Sequence, residues 1–155
     1  MEKLKIMLVD DEERYLKTTQ RLLEKRGYKV CTATNGMDAL GRLKQQDIHV
    51  VILDVKMPVM DGNEVLRRIK SQYPLVEVIM LTGHATVDSA IDGLKSGAGD
   101  YLMKPADIDD IVAKSEDAFA RRCRMEAKIR AARTKKYMRS PREILKDPET
   151  ELVDH

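Results

Sequence analysis

Val50-Val51-Ile52-Leu53-Asp54-Val55-Lys56-Met57-Pro58-Val59-Met60-Asp61-Gly62 is the stretch that decides how the chain is read. Four apolar residues, three of them β-branched, run into a carboxylate, and a proline and an Asp-Gly pair then break the chain. A strand buried on both faces reads this way, with Asp54 at its carboxyl end and a tight loop after it. Open parallel sheets build their sites outside the carboxyl ends of their strands. Asp54 is therefore the first candidate for chemistry.

Working outward, the same grammar repeats. Residues 4–9 form a short apolar run that ends on Asp10-Asp11. Residues 12–26 carry Leu16, Thr19, Leu22 and Leu23 at the spacing of one helix face, and Gly27 is a C-terminal stop. Residues 28–33 read as a second strand, and Asn35 as the N-cap of a helix bearing Ala39, Leu40 and Leu43. After the opening stretch, residues 62–72 form a helix with Val65, Leu66 and Ile69 inward, ended by Pro74. Residues 76–81 are a fourth buried strand ending on Thr82, and residues 86–96 a helix with Val87, Ala90, Ile91 and Leu94 inward. Residues 100–103 are a short fifth strand before Lys104-Pro105. A last helix starts near Asp107 with Ile108, Ile111, Val112, Ala118 and Phe119 on one face. Five strands alternating with five helices imply an α/β fold: a parallel sheet with right-handed crossovers and helices on both faces.

Composition agrees and narrows the function classes. Of 155 residues, 43 % are hydrophobic and 35 % charged, with 4 % aromatic and no tryptophan, so the core must be aliphatic and rich in methionine. No apolar run reaches the roughly 18 residues of a membrane span, and the start does not read as a signal peptide. Cys31 and Cys123 lie far apart outside any metal-binding spacing and read as free thiols in a reducing cytoplasm. Residues 121–155 hold 11 basic and 6 acidic residues, against 17 and 20 in residues 1–120. The chain therefore divides into a mildly acidic body, 1–120, and a basic extension, 121–155.

The strand ends place Asp10, Asp11, Asp54, Thr82 and Lys104 on one edge of such a sheet. Two carboxylates ~4 Å apart at an effective dielectric near 20 repel by about 4 kcal/mol, so the cluster needs a cation. Oxygen-only ligands at an exposed edge suit Mg²⁺. A metal and a lysine beside one carboxylate can hold a phosphoryl group's oxygens, and Asp is a nucleophile for such groups. Each residue alone has a structural explanation as a cap, a strand residue or a loop residue. Their joint occurrence at successive strand ends points to phosphoryl chemistry.

The chain resembles a response-regulator receiver domain of bacterial two-component signalling. The resemblance covers about residues 4–120. It rests on Val9-Asp10-Asp11-Glu12, on Leu53-Asp54-Val55-Lys56-Met57-Pro58 with Met60-Asp61-Gly62, on Leu81-Thr82-Gly83-His84, and on residues 97–105, Gly-Ala-Gly-Asp-Tyr-Leu-Met-Lys-Pro. It implies a flavodoxin-like, doubly wound five-stranded parallel sheet of order 2-1-3-4-5. It implies Asp54 as phosphoacceptor and as the residue modified to an aspartyl-phosphate. Asp11, Asp54 and the backbone carbonyl of Lys56 match the family's Mg²⁺ ligands, with Asp10 acting mainly through water. Lys104 matches the lysine that neutralises phosphoryl oxygens, Thr82 the hydroxyl that swings toward them, and Tyr101 the aromatic that moves inward as Thr82 moves. The Lys104-Pro105 bond is expected to be cis, and Lys56 and His84 occupy positions that vary in the family and tune the phosphoryl lifetime. The implied donor is a sensor histidine kinase or a histidine phosphotransfer protein. The implied readout is the face made by the fourth helix, the fifth strand and the last helix. The chain is expected to be cytoplasmic and to be a phosphoacceptor rather than a turnover enzyme.

The last helical pattern runs past the body. From Asp107 to Arg133 is 27 residues without Gly or Pro, about 40 Å of helix, with Met125, Ile129 and Ala132 spaced about every 3.5 residues. This suits a short coiled-coil seam and homodimer, a partner-binding helix, or a solvated linker. Ser140-Pro141-Arg142-Glu143 is a capping box for a further short helix with Ile144 and Leu145, ended by Pro148. The basic run reads as a solvated helix rather than a nucleic-acid interface, because no DNA-binding fold or output enzyme fits in about 35 residues. Two alternatives stand beside the receiver: a DNA-binding transcriptional regulator truncated of its output domain, and an Asp-nucleophile phosphatase of the haloacid-dehalogenase kind.

Overall fold

The computed structural model describes residues 4–83 and 87–137. Strands and helices alternate as β1 (Lys5–Val9), α1 (Glu13–Lys25), β2 (Lys29–Ala33), α2 (Gly36–Gln45), β3 (Val50–Asp54), α3 (Gly62–Gln72), β4 (Glu77–Thr82), α4 (Val87–Lys95), β5 (Asp100–Met103) and α5 (Ile108–Tyr137). The five strands form one sheet of order β2-β1-β3-β4-β5, parallel throughout. This is the order that the resemblance implies. The chain divides into two compact units, Met1–Arg122 and Cys123–His155.

In the first unit the strands alternate their side chains between two apolar layers. Met7, Val9, Val51, Leu53, Val78 and Met80 pack with Ala39, Leu40 and Leu43 of α2 and Val65, Leu66 and Ile69 of α3. Ile6, Leu8, Val50, Ile52, Ile79 and Leu81 pack on the other face with Leu16 and Leu23 of α1 and Ile111 and Ala118 of α5. β3 is central and covered on both faces, so all five of its residues are buried, Asp54 included. Asn35 caps α2 by accepting from the Asp38 N–H at 2.8 Å. Gly27, at φ 95°, and Gly97, at φ 109°, take the left-handed conformation just beyond α1 and α4.

Some helix faces differ from the expectation. Leu22 is 42 % exposed, while Leu16, Thr19 and Leu23 are buried. On α4, Ile91 and Leu94 are 42 % and 49 % exposed rather than inward. Gly93 is buried, and a Cβ there would lie 3.4 Å from Met80 Cγ, while Ile91 and Leu94 on either side of it are exposed. The expected inward side chains of Val87 and Ala90, the residues His84 and Thr86, and the capping box at Ser140 lie outside the described residues. α5 runs to Tyr137, four residues beyond the expected end, because nothing before Pro141 breaks it. In the second unit, Met125 is 48 % exposed and Arg130 lies 4.0 Å from Glu126. Cys31 and Cys123 are free thiols. Among the described residues, no helix is long and apolar enough to cross a membrane.

Candidate functional site

The strand register levels the ends of the sheet. Val9 and Met80 lie opposite Leu53, Leu81 lies opposite Asp54, and Met103 lies opposite Thr82. Asp10 follows Val9, Asp54 follows Leu53, Thr82 follows Leu81 and Lys104 follows Met103, so each chain segment delivers its polar residue to the same edge. Asp10, Asp11 and Asp54 each offer a carboxylate oxygen, and these oxygens lie within 4.8 Å of one another. Asp10 is 2 % exposed and Asp54 7 %, whereas Asp11 is open to solvent. An open cleft of about 250 Å³ lies over them, lined by Asp11, Glu12, Asp54, Lys56, Thr82, Gly83 and Lys104.

Local geometry fixes these groups. One oxygen of Asp10 accepts from the Glu12 N–H at 2.9 Å, which starts the turn into α1. The other accepts from the Lys104 ammonium. The Lys104-Pro105 peptide bond is cis. After Asp54, Met57 is buried, Val59 is fully exposed at φ 69°, and Asp61 caps α3 by accepting from the Glu64 N–H at 2.9 Å. Gly62 donates its N–H to the Val55 carbonyl at 2.8 Å. A Cβ at Gly62 would overlap the Asp54 carbonyl oxygen and lie 2.7 Å from Val55 Cα, so only glycine lets α3 start this close to the end of β3. The Lys56 N–H reaches Asp54 Oδ1 at a long 3.4 Å.

The electrostatics follow from burial and from one another. Burial first, and Asp10 second, push the Asp54 carboxyl up to about 6, and Lys104 opposes them. Burial alone would lower Lys104, but its bond to Asp10 and the surrounding carboxylates outweigh this and hold the ammonium above its ordinary value. Three carboxylates thus share one lysine, and negative charge is left over at Asp54.

The structure brings Asp10, Asp11, Asp54, Lys56, Thr82 and Lys104 together around the cleft. Thr82 is buried at its floor. Tyr101 sits on β5 with its ring half-buried against the α2–α3 layer and its hydroxyl enclosed. Reading by strand ends misses Tyr15. Its ring stands under the Lys104 ammonium, 4.5 Å from centroid to Nζ. The available signal was an aromatic one turn after the acidic pair, in a chain with only five tyrosines and one phenylalanine.

Comparison with known proteins agrees with this geometry. The model of the response regulator receiver domain family matches residues 6–116. The chain belongs to that family. The receiver is 39 % identical over 119 residues to the transcriptional regulatory protein ZraR of Klebsiella oxytoca, covering 77 % of this chain and 27 % of that one. It is 36 % identical over 115 residues to the DNA-binding transcriptional regulator NtrC of Salmonella typhimurium, covering 74 % and 24 %. It therefore spans about a quarter of the length of these curated relatives. A receiver domain from Clostridium thermocellum superposes with a TM-score of 0.75 at 38 % identity, over 79 % of this chain and 98 % of that one. A CheY-like receiver domain from Methanospirillum hungatei gives 0.76 at 28 % identity, over 80 % and 99 %. The chain is thus a receiver domain of the two-component kind, with a flavodoxin-like fold and a phosphoaccepting role.

Proposed function

We propose that this receiver takes a phosphoryl group onto Asp54 from a phosphohistidine of a sensor histidine kinase or a histidine phosphotransfer protein. The observation that carries the reading is the meeting of Asp10, Asp11 and Asp54 within 4.8 Å, with Lys104 on Asp10. An all-oxygen donor set with negative charge left over fits Mg²⁺. Asp11, Asp54 and the Lys56 carbonyl would hold the ion directly and Asp10 through water. When bound, it supplies positive charge against the oxygens of the incoming phosphoryl group.

The chain's own residues account for the rest. A carboxylate oxygen of Asp54 attacks phosphorus in line. The new P–O bond forms as the P–N bond breaks, and the electron pair returns to the donor imidazole, which leaves neutral because its other ring nitrogen already carries a proton. Lys104 is already at the edge of the cleft and offsets charge on the phosphoryl oxygens. The new dianion attracts the Thr82 hydroxyl from the cleft floor, and Tyr101 on β5 adjusts to the space that Thr82 leaves. A local charge event thereby biases the face of α4, β5 and the body part of α5. Residues 1–120 form the phosphoacceptor, and residues 121–155 are a basic extension, acting in the cytoplasm through a partner or a homodimer made by the last helix.

Asp54→Ala tests the assignment. The wild type exposed to acetyl phosphate and Mg²⁺ gains one phosphoryl group labile to base and hydroxylamine, and the variant gains none; normal incorporation in the variant defeats the reading. Size in solution with and without beryllofluoride tests the homodimer, and a monomer in both states removes it. The relatives' names support a second reading, the receiver portion of a transcriptional regulator. An output domain encoded in frame beyond His155 would establish it.

A further inference from the structure

One side chain in contact with Lys104 has no part in the reaction above. Tyr15 lies in the first turn of α1 and turns the face of its ring to the Lys104 ammonium at 4.5 Å. The ammonium's other partner is the carboxylate of Asp10. The two hold it by different physics. Asp10 is an anion and neutralises the charge that it holds. A ring face attracts an ammonium through its quadrupole and leaves the net charge intact. The ring is itself fixed: it is half-buried and packs against the apolar layer beneath α1 and α5. Its hydroxyl is buried beside Thr19, and burial raises its pKa, so the ring stays neutral.

We propose that Tyr15 is a positioning residue for phosphoryl capture, its ring holding the Lys104 ammonium inside the cleft with the positive charge available to phosphoryl oxygens. The inference rests on the reading of Asp54 as the phosphoacceptor. A lysine head on a four-carbon stem otherwise ranges widely, and ordering it opposes capture. Asp10 alone would order it only by forming an ion pair. The ring keeps it in place when that carboxylate turns elsewhere.

Three replacements in the chain of residues 1–155 separate the ring's charge distribution from its bulk. Tyr15→Phe keeps the face and drops only the hydroxyl, which lies on the Thr19 side, away from the ring face that meets Lys104. Tyr15→Leu removes the face. Pentafluorophenylalanine at position 15 keeps the shape but cancels the negative face, and it covers the case in which Tyr15→Leu fails to fold. The first readout is the NMR shift of the Lys104 ε-methylene protons without cation or phosphodonor. Ring current moves them upfield in the wild type and in Tyr15→Phe, and the Leu and pentafluoro proteins lose that displacement in whole or in large part. The second is the rate of labelling by acetyl phosphate. Tyr15→Phe stays within about twofold of wild type, and the other two slow by about three- to tenfold.

A folded Leu or pentafluoro protein that labels at the wild-type rate overturns the proposal, as does an unchanged Lys104 signal in Tyr15→Leu. A wild type that takes no phosphoryl group on Asp54 overturns the reading of the site itself, and the role given to Tyr15 falls with it. The displaced Lys104 signal would then persist, which tells that failure from the first.

Discussion

Asp54 combines deep burial with a second carboxylate close by, and pH reports the consequence. In the metal-free fold its carboxyl titrates at about 6 against an ordinary 3.8. Between those values the folded chain keeps a proton that the unfolded chain has released. Stability therefore falls as pH rises through that window and stays lower above it. Asp54→Asn removes the penalty. At neutral pH without divalent cation the variant is more stable than wild type by on the order of 1–2 kcal/mol, and the gap closes near pH 4 in urea titrations. Mg²⁺ acts in the opposite direction on the wild type. Its melting temperature rises with the ion, and Asp11→Ala, altered only at an exposed side chain, loses most of that rise. The residues behind these predictions were legible in the sequence because each follows a strand marked by an apolar run and a break. Tyr15 was not, because a tyrosine inside an amphipathic helix reads as core, and its meeting with Lys104 depends on how α1 lies against the loop after β5.

At the scale of elements, the loop between β3 and α3 carries two opposite predictions. Gly62→Ala puts a Cβ into the Asp54 carbonyl and against Val55, so either α3 or the end of β3 must shift. It costs about 2–4 kcal/mol in denaturant titrations and lowers phosphorylation of Asp54 in proportion to the displaced loop. Val59→Gly should do the reverse. Val59 is β-branched at φ 69° and fully exposed, so glycine loses no packing and relieves the left-handed backbone, for a gain on the order of 1 kcal/mol. The central strands were read from sequence because strands covered on both faces are apolar throughout and end abruptly, while their order in the sheet came from the family resemblance. Helix faces were read less well. A 3.6-residue period finds the stripe but not its margins, which is why Leu22, Ile91 and Leu94 turned out half-exposed. On α4 the inward position described is Gly93, which carries no hydrophobic signal at all.

For the molecule as a whole, every buried core residue described lies between Leu4 and Ala118. A chain ending at Arg122 is expected to fold to the same sheet, to match the full chain within about 1 kcal/mol in urea, and to take up the phosphoryl group at the same rate. Loss of folding would show that residues after 122 belong to the body. Within that body, the bond between Lys104 and Asp10 spans 94 positions of sequence. The cleft is gathered from the chain's beginning, its middle and a point two-thirds of the way along, so no early fragment contains it. During synthesis, Asp54 leaves the ribosome well before the lysine that completes its surroundings. A nascent or half-folded chain is therefore mute to its phosphodonor, and only a finished body can be heard.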